Sequence, residues 1–242
     1  MSMAYFFAPP PAWHGATIDL DGGETRHLHV LRLKAGEEIR VMDGAGRTAS
    51  CRLRELSRHR AIAEIGESEV APRDKALAIM ALAMSKATRR GFFMEKAVEL
   101  GCAAVWIWQG ENSQGKIPAG FAESVRGQMI AGAKQCANPW LPEVRTFANA
   151  AEMIGEAARA DYKILPYEQQ KGQPVLDYSM LGRPGTTVYV IGPEGGFSPA
   201  EIELMAAAGF VAVSLGQRVL RCETAAVLCL GLHYRASQAI AR

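Results

Sequence analysis

The sequence predicts an α/β protein in two parts: a small β-barrel over residues 1–70, then a mainly parallel sheet with alternating helices over 71–242. Three observations predict it. Many short strand candidates crowd the first 70 residues, which suggests a compact barrel. Ala76–Met84 then runs nine residues without a charge, the pattern of a central parallel strand covered on both faces. Finally, Thr186–Cys229 reads strand, glycine loop, helix, strand, tight loop, helix.

In the first part, Tyr5–Ala8 and Ala16–Leu20 are strand candidates, and Thr25–Leu33 suits one or two helical turns. Glu38–Met42 and Arg47–Leu56 flank Asp43-Gly44-Ala45-Gly46, a hairpin signal. Along the second of these strands Ala49, Cys51 and Leu53 alternate with Ser50, Arg52 and Arg54, so one face is apolar and the other basic. Ala61–Ile65 is a further strand. Val70–Lys75, with Pro72 and a charge cluster, reads as the linker.

Beyond it, Phe92–Leu100 is helical and Gly101 stops it. Ala103–Trp108 is the next strand. Pro118–Ala137 is a longer helix with Phe121, Val125, Met129 and Cys136 on one stripe. Asn149 suits the cap of a helix running to Ala160, and Tyr162–Leu165 is a strand leading into Pro166-Tyr167-Glu168. Thr187–Ile191 is a buried strand. Ser198 suits the N-cap of the following helix, Pro199 its first position, Glu201 a capping box and Gly209 the C-terminal stop. Phe210–Leu215 is a second buried strand, and a last helix runs from about Glu223 to Ile240. If these two strands are parallel neighbours, the loops after them emerge together at the carboxyl edge, where open α/β sheets bind ligands.

The loops narrow the chemistry. Gly192-Pro193-Glu194-Gly195-Gly196 has neither the Lys-Ser/Thr of a P-loop nor G-x-G-x-x-G spacing. Glu194 puts a carboxylate where a phosphate cradle wants none. The glycines therefore suit close backbone approach to an uncharged or cationic ligand, against the plainer alternative of a ligand-free turn. In the second loop, Arg218 and Arg221 suit an anionic substrate, and Glu223 is either a helix cap or a functional carboxylate. Tyr167 and Glu168 suit a third wall.

Composition excludes more than it assigns. The five cysteines form no C-x-x-C, so neither a disulfide framework nor a structural zinc site is expected. Cys222 as a nucleophile has no histidine near it in sequence. His27 and His29 lack further ligands nearby, and no metal is expected. No run reaches the roughly 20 apolar residues of a membrane helix. The start lacks a basic region and is broken by prolines, so no signal peptide is read and a cytoplasmic setting is expected. Net charge is only +2, but five arginines between Arg47 and Arg60 face one glutamate, and Lys86, Arg89 and Arg90 form a second cluster. Each cluster reads either as a solvated face or as a nucleic-acid contact.

The segment IGPEGGFSPAEIELMAAAGFVAVSLGQRVLRCETA is similar to the signature of the 16S ribosomal RNA uridine-N3 methyltransferases of the SPOUT superfamily. His27–Gly46 resembles that family's N-terminal PUA-like RNA-binding domain. Glu95–Gly101 and Ala133–Val144 resemble its middle segment, so nearly the whole chain is covered. The resemblance implies a C-terminal α/β domain with a deep trefoil knot, an exception to the unknotted-chain rule. It implies S-adenosylmethionine held by three loops, carried here by Leu165, Pro166 and Glu168, by Ile191, Gly192, Gly195 and Gly196, and by Leu215, Gly216, Val219, Leu220 and Ala225. Main-chain groups of Leu215, Val219 and Leu220 would hold the adenine.

It also implies a homodimer acting on a decoding-site uridine of the small ribosomal subunit. Glu223 and Arg221 are then the catalytic candidates. Arg52, Arg54, Lys86, Arg89, Arg90, Gln135 and Arg218 are the candidates for RNA contact. The chain departs from the family pattern in three places. No arginine precedes the aromatic in Met3-Ala4-Tyr5-Phe6, Cys222 stands where threonine is usual, and no arginine stands near Asn138. Three rival readings remain: a nucleotide-binding hydrolase or phosphotransferase using the glycine loop, a non-catalytic RNA-binding protein on the same fold, and a methyltransferase of the same superfamily with another RNA target.

Overall fold

The computed structural model describes residues 4–85, 87–167 and 173–240, with only the backbone for 87–90 and 240. The chain forms two compact units. One holds the residues up to Arg73 together with Ile130–Leu141; the other holds Asp74–Met129 and Pro142–Arg242.

The first unit contains β1 (Tyr5–Phe7), β2 (Trp13–His14), β3 (Thr17–Leu20), α1 (Gly22–Val30), β4 (Glu38–Met42), β5 (Arg47–Leu56) and β6 (Ala61–Val70). They make one mixed sheet in the order β1-β4-β5-β6-β3-β2, in which only β1 and β4 pair in parallel. The sheet is open, with β1 and β2 as its edges. The alternation read in β5 holds: Ala49, Cys51 and Leu53 are buried beside Phe6, Ile18, Ile39 and Val41, while Arg52 and Arg54 are exposed. The pairing of β5 with β6 shifts register at Ala49/Cys51 and Leu53/Glu55.

The β4–β5 turn is fixed by Asp43, whose Oδ1 accepts from the amides of Ala45 at 2.7 Å and Arg47 at 3.0 Å. Gly46 there has φ +97°, and a Cβ on it would lie 2.2 Å from the Trp140 ring. That close approach explains why the glycine is needed. Two features of this unit differ from expectation. Trp13–His14 forms a short strand, and β6 runs on to Val70, so the linker begins after it.

The second unit alternates β7 (Ala76–Ala83), α2 (Ala87–Glu99), β8 (Ala104–Trp108), α3 (Phe121–Cys136), β9 (Glu143–Phe147), α4 (Ala150–Ala157), β10 (Tyr162–Pro166), β11 (Gly185–Ile191), α5 (Pro199–Ala207), β12 (Val211–Val213) and α6 (Cys222–Ile240). Only the part of α3 up to Met129 belongs to this unit. The sheet is all parallel, in the order β12-β10-β11-β7-β8-β9. β7 lies inside it, and its uncharged run is buried as expected, with Ala78, Met80 and Ala81 at most 2 % exposed.

Two expectations are corrected here. β9 was not foreseen. β11 and β12 are parallel but not neighbours, because β10 lies between them. Their carboxyl ends still share one edge, since all three strands run the same way. After β12 the chain leads into α6, which packs against β7, β11 and α2. An all-parallel sheet with helices between its strands is the α/β class that the resemblance implies.

Caps behave locally as read. The Asn149 side chain accepts from the Glu152 amide at the start of α4, although that helix ends at Ala157 and not at Ala160. At α5, Ser198 and Glu201 form both halves of the capping box, with Pro199 at the first position. Gly209, just past α5, has φ +81°.

A buried polar pair fastens α6 to the sheet. The ring of His233, 3 % exposed, donates from Nε2 to the Ala76 carbonyl at 3.3 Å, which leaves Nδ1 to accept from the Tyr189 hydroxyl at 3.0 Å. Burial holds the His233 pKa below its usual 6.5. The folded state therefore prefers the neutral ring. Stability from this site is complete above pH 6.5 and is lost as pH falls from there through the lowered folded value. The melting temperature should thus drop between pH 7 and pH 5, and less so in His233→Gln. An equal drop in both proteins would exclude His233 as the cause.

Candidate functional site

The carboxyl ends of β10, β11 and β12 open onto one cavity of about 420 Å³. The volume lies in the roughly 300–1,000 Å³ range of small-molecule sites. Three segments wall it: Pro166 and Tyr167 from the end of β10, Ile191–Phe197 from the end of β11, and Leu215–Cys222 with Ala225 after β12, excepting Gln217. No two of these segments are close in sequence. Only the parallel sheet brings them together.

Ten of the residues proposed from sequence for the cofactor line this cavity: Pro166, Ile191, Gly192, Gly195, Gly196, Leu215, Gly216, Val219, Leu220 and Ala225. Leu165 does not. It is 2 % exposed and belongs to the sheet's core, with its neighbour Pro166 on the cavity wall. Glu168 and Lys86 lie outside the described residues, and for Arg89 and Arg90 only the backbone within α2 is described. Arg52, Arg54 and Gln135 are exposed in the first unit. Arg52 pairs there with Glu38 at 3.2 Å, an exposed pair of small energetic weight.

The glycines have structural reasons. A Cβ on Gly192 would lie 2.7 Å from the Phe197 ring, and one on Gly195 would lie 2.8 Å from Asn112 Cβ. Gly196 and Gly216 have φ of +76° and +114°, in the region that favours glycine. Phe197 and Tyr167 meet edge to face at 5.9 Å, and Phe197 stacks on Trp108 at 6.1 Å. These rings make a packed aromatic support for the glycine loop. Sequence reading had Tyr167 as a wall but missed Phe197, whose role shows only once Trp108 is placed behind it.

Charge is arranged unevenly. Glu194 and the arginines Arg218 and Arg221 all line the cavity. Both arginines are exposed, and among the described residues neither is held in an ion pair. Val219 is 79 % exposed, a large apolar side chain on the cavity wall.

Glu223 sits differently. It lines a second, small cavity of about 10 Å³ with Leu82, Ala83, Ser85, Phe93, Met94, Ile107 and Cys222. Cys222 lines both cavities, and its thiol donates to Glu223 Oε2 at 3.3 Å. Burial first, then the Glu223 carboxylate, pushes the Cys222 thiol up to about 11. It is therefore a neutral hydrogen-bond donor near pH 7, which argues against its use as a nucleophile. Among the described residues no group of three His, Cys, Asp or Glu is placed to hold a metal. No helix among them is long and apolar enough to cross a membrane.

Comparison with known proteins gives concordant results. Residues 73–234 match the RNA methyltransferase domain family, and residues 20–66 match the RNA methyltransferase PUA domain family. A ribosomal RNA small subunit methyltransferase E of Mycobacterium bovis is 28 % identical over 225 residues, 90 % of this chain and 86 % of its own. The protein of that name from Mesomycoplasma hyopneumoniae is 30 % identical over 155 residues, 63 % of this chain and 66 % of its own. Among solved structures, a methyltransferase from Legionella pneumophila in complex with S-adenosylmethionine superposes with a TM-score of 0.87 at 26 % identity, over 98 % of both chains. The ribosomal RNA small subunit methyltransferase E of Neisseria gonorrhoeae, bound to the same cofactor, gives 0.83 at 28 % identity, also over 98 % of both chains.

Proposed function

The chain belongs to the RNA methyltransferase family in which a PUA domain precedes the methyltransferase domain, and on that premise we propose that it methylates N3 of a decoding-site uridine in 16S ribosomal RNA with S-adenosylmethionine. The observation that carries this reading is the three-walled cavity. It has a cofactor-sized volume, an apolar wall of Ile191, Leu215, Val219 and Leu220, and glycines where a side chain would collide with its neighbours. Its glycine loop carries the Glu194 carboxylate, which suits a sulfonium better than a phosphate, while the positive charge of Arg218 and Arg221 stands on the loop after β12.

When bound, the cofactor supplies an electrophilic methyl group. The chain must do the rest. N3 of uridine carries an imide proton that has to leave as N3 attacks. Glu223 is assigned to accept it in this reading: it lines the small cavity, joined to the large one through Cys222, whose thiol donates to its carboxylate, so the carboxylate must turn toward the large cavity to reach the proton. Arg221 or Arg218 then faces the negative charge that develops on the uracil ring. N3 lies on the pairing edge, so the base must be unpaired or flipped out to react. Arg52, Arg54, Lys86, Arg89, Arg90 and Gln135 are assigned to RNA backbone contact, which positions without reading sequence. The resemblance further supports a homodimer working in the cytoplasm.

The test is methyl transfer to small ribosomal subunits from cells lacking this modification, followed by nucleoside analysis. The expected product is 3-methyluridine. Titration calorimetry should show binding of S-adenosylmethionine and none of ATP. Binding of ATP alone would overturn the cofactor assignment, and a methylated nucleoside other than 3-methyluridine would overturn the target.

A further inference from the structure

The loop between β8 and α3 takes no part in the cavity wall, yet it is built against the back of it. Its own shape is closed by Gln109, whose side chain donates to the Gly115 carbonyl at 2.9 Å and accepts from the Ile117 amide at 3.2 Å. At its tip the Ser113 amide donates to the Gly110 carbonyl at 3.1 Å, and the Ser113 hydroxyl accepts from the Gly110 amide at the same distance.

Two links run from this loop to the glycine loop. Asn112 Nδ2 donates to the Gly196 carbonyl at 3.1 Å, and Asn112 packs so closely on Gly195 that a Cβ there would lie 2.8 Å from its Cβ and 2.9 Å from its carbonyl oxygen. One residue earlier, the Glu111 amide donates to Glu201 Oε1 at 2.9 Å. Glu201 is 2 % exposed, and its other oxygen accepts from the Ser198 amide at 2.8 Å. A single buried carboxylate thus ties the loop to the start of α5, immediately after the glycine loop. The segment Gly192–Phe197 is held at its far end by the capping box and at Gly195–Gly196 by Asn112.

We propose that the β8–α3 loop is the brace of the cofactor loop, and that Asn112 is a positioning residue for cofactor binding which touches neither cofactor nor RNA. The inference rests on the assignment of the cavity to S-adenosylmethionine. A glycine-rich segment is conformationally free, and ordering it on binding costs affinity unless something outside the cavity has already fixed it. Asn112 supplies that fixation through one hydrogen bond and one tight contact.

The test uses the full chain with four proteins: wild type, Asn112→Ala, Asn112→Gln and Gln114→Ala, the last an exposed residue of the same loop. Calorimetry with S-adenosylmethionine is paired with steady-state kinetics on small subunits and with melting of the cofactor-free proteins. For Asn112→Ala, Kd and KM for the cofactor should rise about three- to tenfold, the effect of one hydrogen bond, with kcat within about twofold of wild type. Asn112→Gln should recover part of the loss, and Gln114→Ala should match wild type. Unchanged affinity in Asn112→Ala, or a fall in kcat or melting temperature without a rise in Kd, overturns the brace. If wild type itself takes no S-adenosylmethionine, the functional reading fails and this inference fails with it. If wild type binds and Asn112→Ala binds equally well, the brace alone fails.

Discussion

Replacing Glu223 by glutamine is expected to lower kcat for methyl transfer by about 10²–10⁴-fold, the range for loss of a general base. Affinity for S-adenosylmethionine should stay within about threefold of wild type, because a neutral substitution of equal shape leaves the large cavity's wall intact. The separation of the two effects is the informative part. Glu223 faces the small cavity with Phe93 and Met94, whereas Arg221 and Ala225, on either side of it in sequence, line the large one. A residue that held the cofactor would lose both quantities together. Undiminished methyl incorporation in Glu223→Gln removes Glu223 from the proton transfer while leaving the function itself standing.

Gly182→Ala is the second substitution with a large expected effect, this time on stability. Gly182 has φ +64°, and a Cβ on it would lie 2.6 Å from the carbonyl carbon of Ala236 and 2.7 Å from the amide nitrogen of Ser237. These are backbone atoms of α6, which cannot turn aside as a side chain would. Forced overpacking costs about 1–3 kcal/mol and the left-handed backbone about 1–2 more, so a loss of about 2–5 kcal/mol is expected. Denaturant unfolding followed by circular dichroism measures it, and an unchanged midpoint would show that α6 shifts freely. Because α6 begins with Cys222 and Glu223, cofactor affinity and turnover should fall along with stability.

What the sequence made legible was local. The capping box at Ser198 and Glu201, the cap at Asn149 and the β4–β5 hairpin are each written within a few residues, and each stands as read. The uncharged run from Ala76 was legible because a strand buried on both faces tolerates no polar alternation. The two glycine-bearing loops that wall the large cavity were legible from their glycines, and the family resemblance gave their roles only as expectations.

What stayed hidden depends on partners distant in the chain. Insertion of β10 between β11 and β12 leaves no mark in the composition of those strands. β9, five residues ending at a core phenylalanine, lacks a sharp alternation. Trp140 packing on Gly46, and Asn112 on Gly195, appear in sequence only as unexplained glycines. Glu223's placement beside the smaller cavity follows from where α6 starts relative to β7 and α2, which no pattern along α6 itself reveals.

The seating of α6 has a consequence for the order of events in folding. β7 pairs with β11 across more than a hundred intervening positions, and the cavity also needs the chain as far as Ala225. Contacts so far apart form slowly, since the intervening chain must be closed into a loop before they add anything. A partly synthesised chain therefore has its PUA-type sheet long before it has a place for the cofactor. A ligand bridging all three loops would report that the last helix has docked.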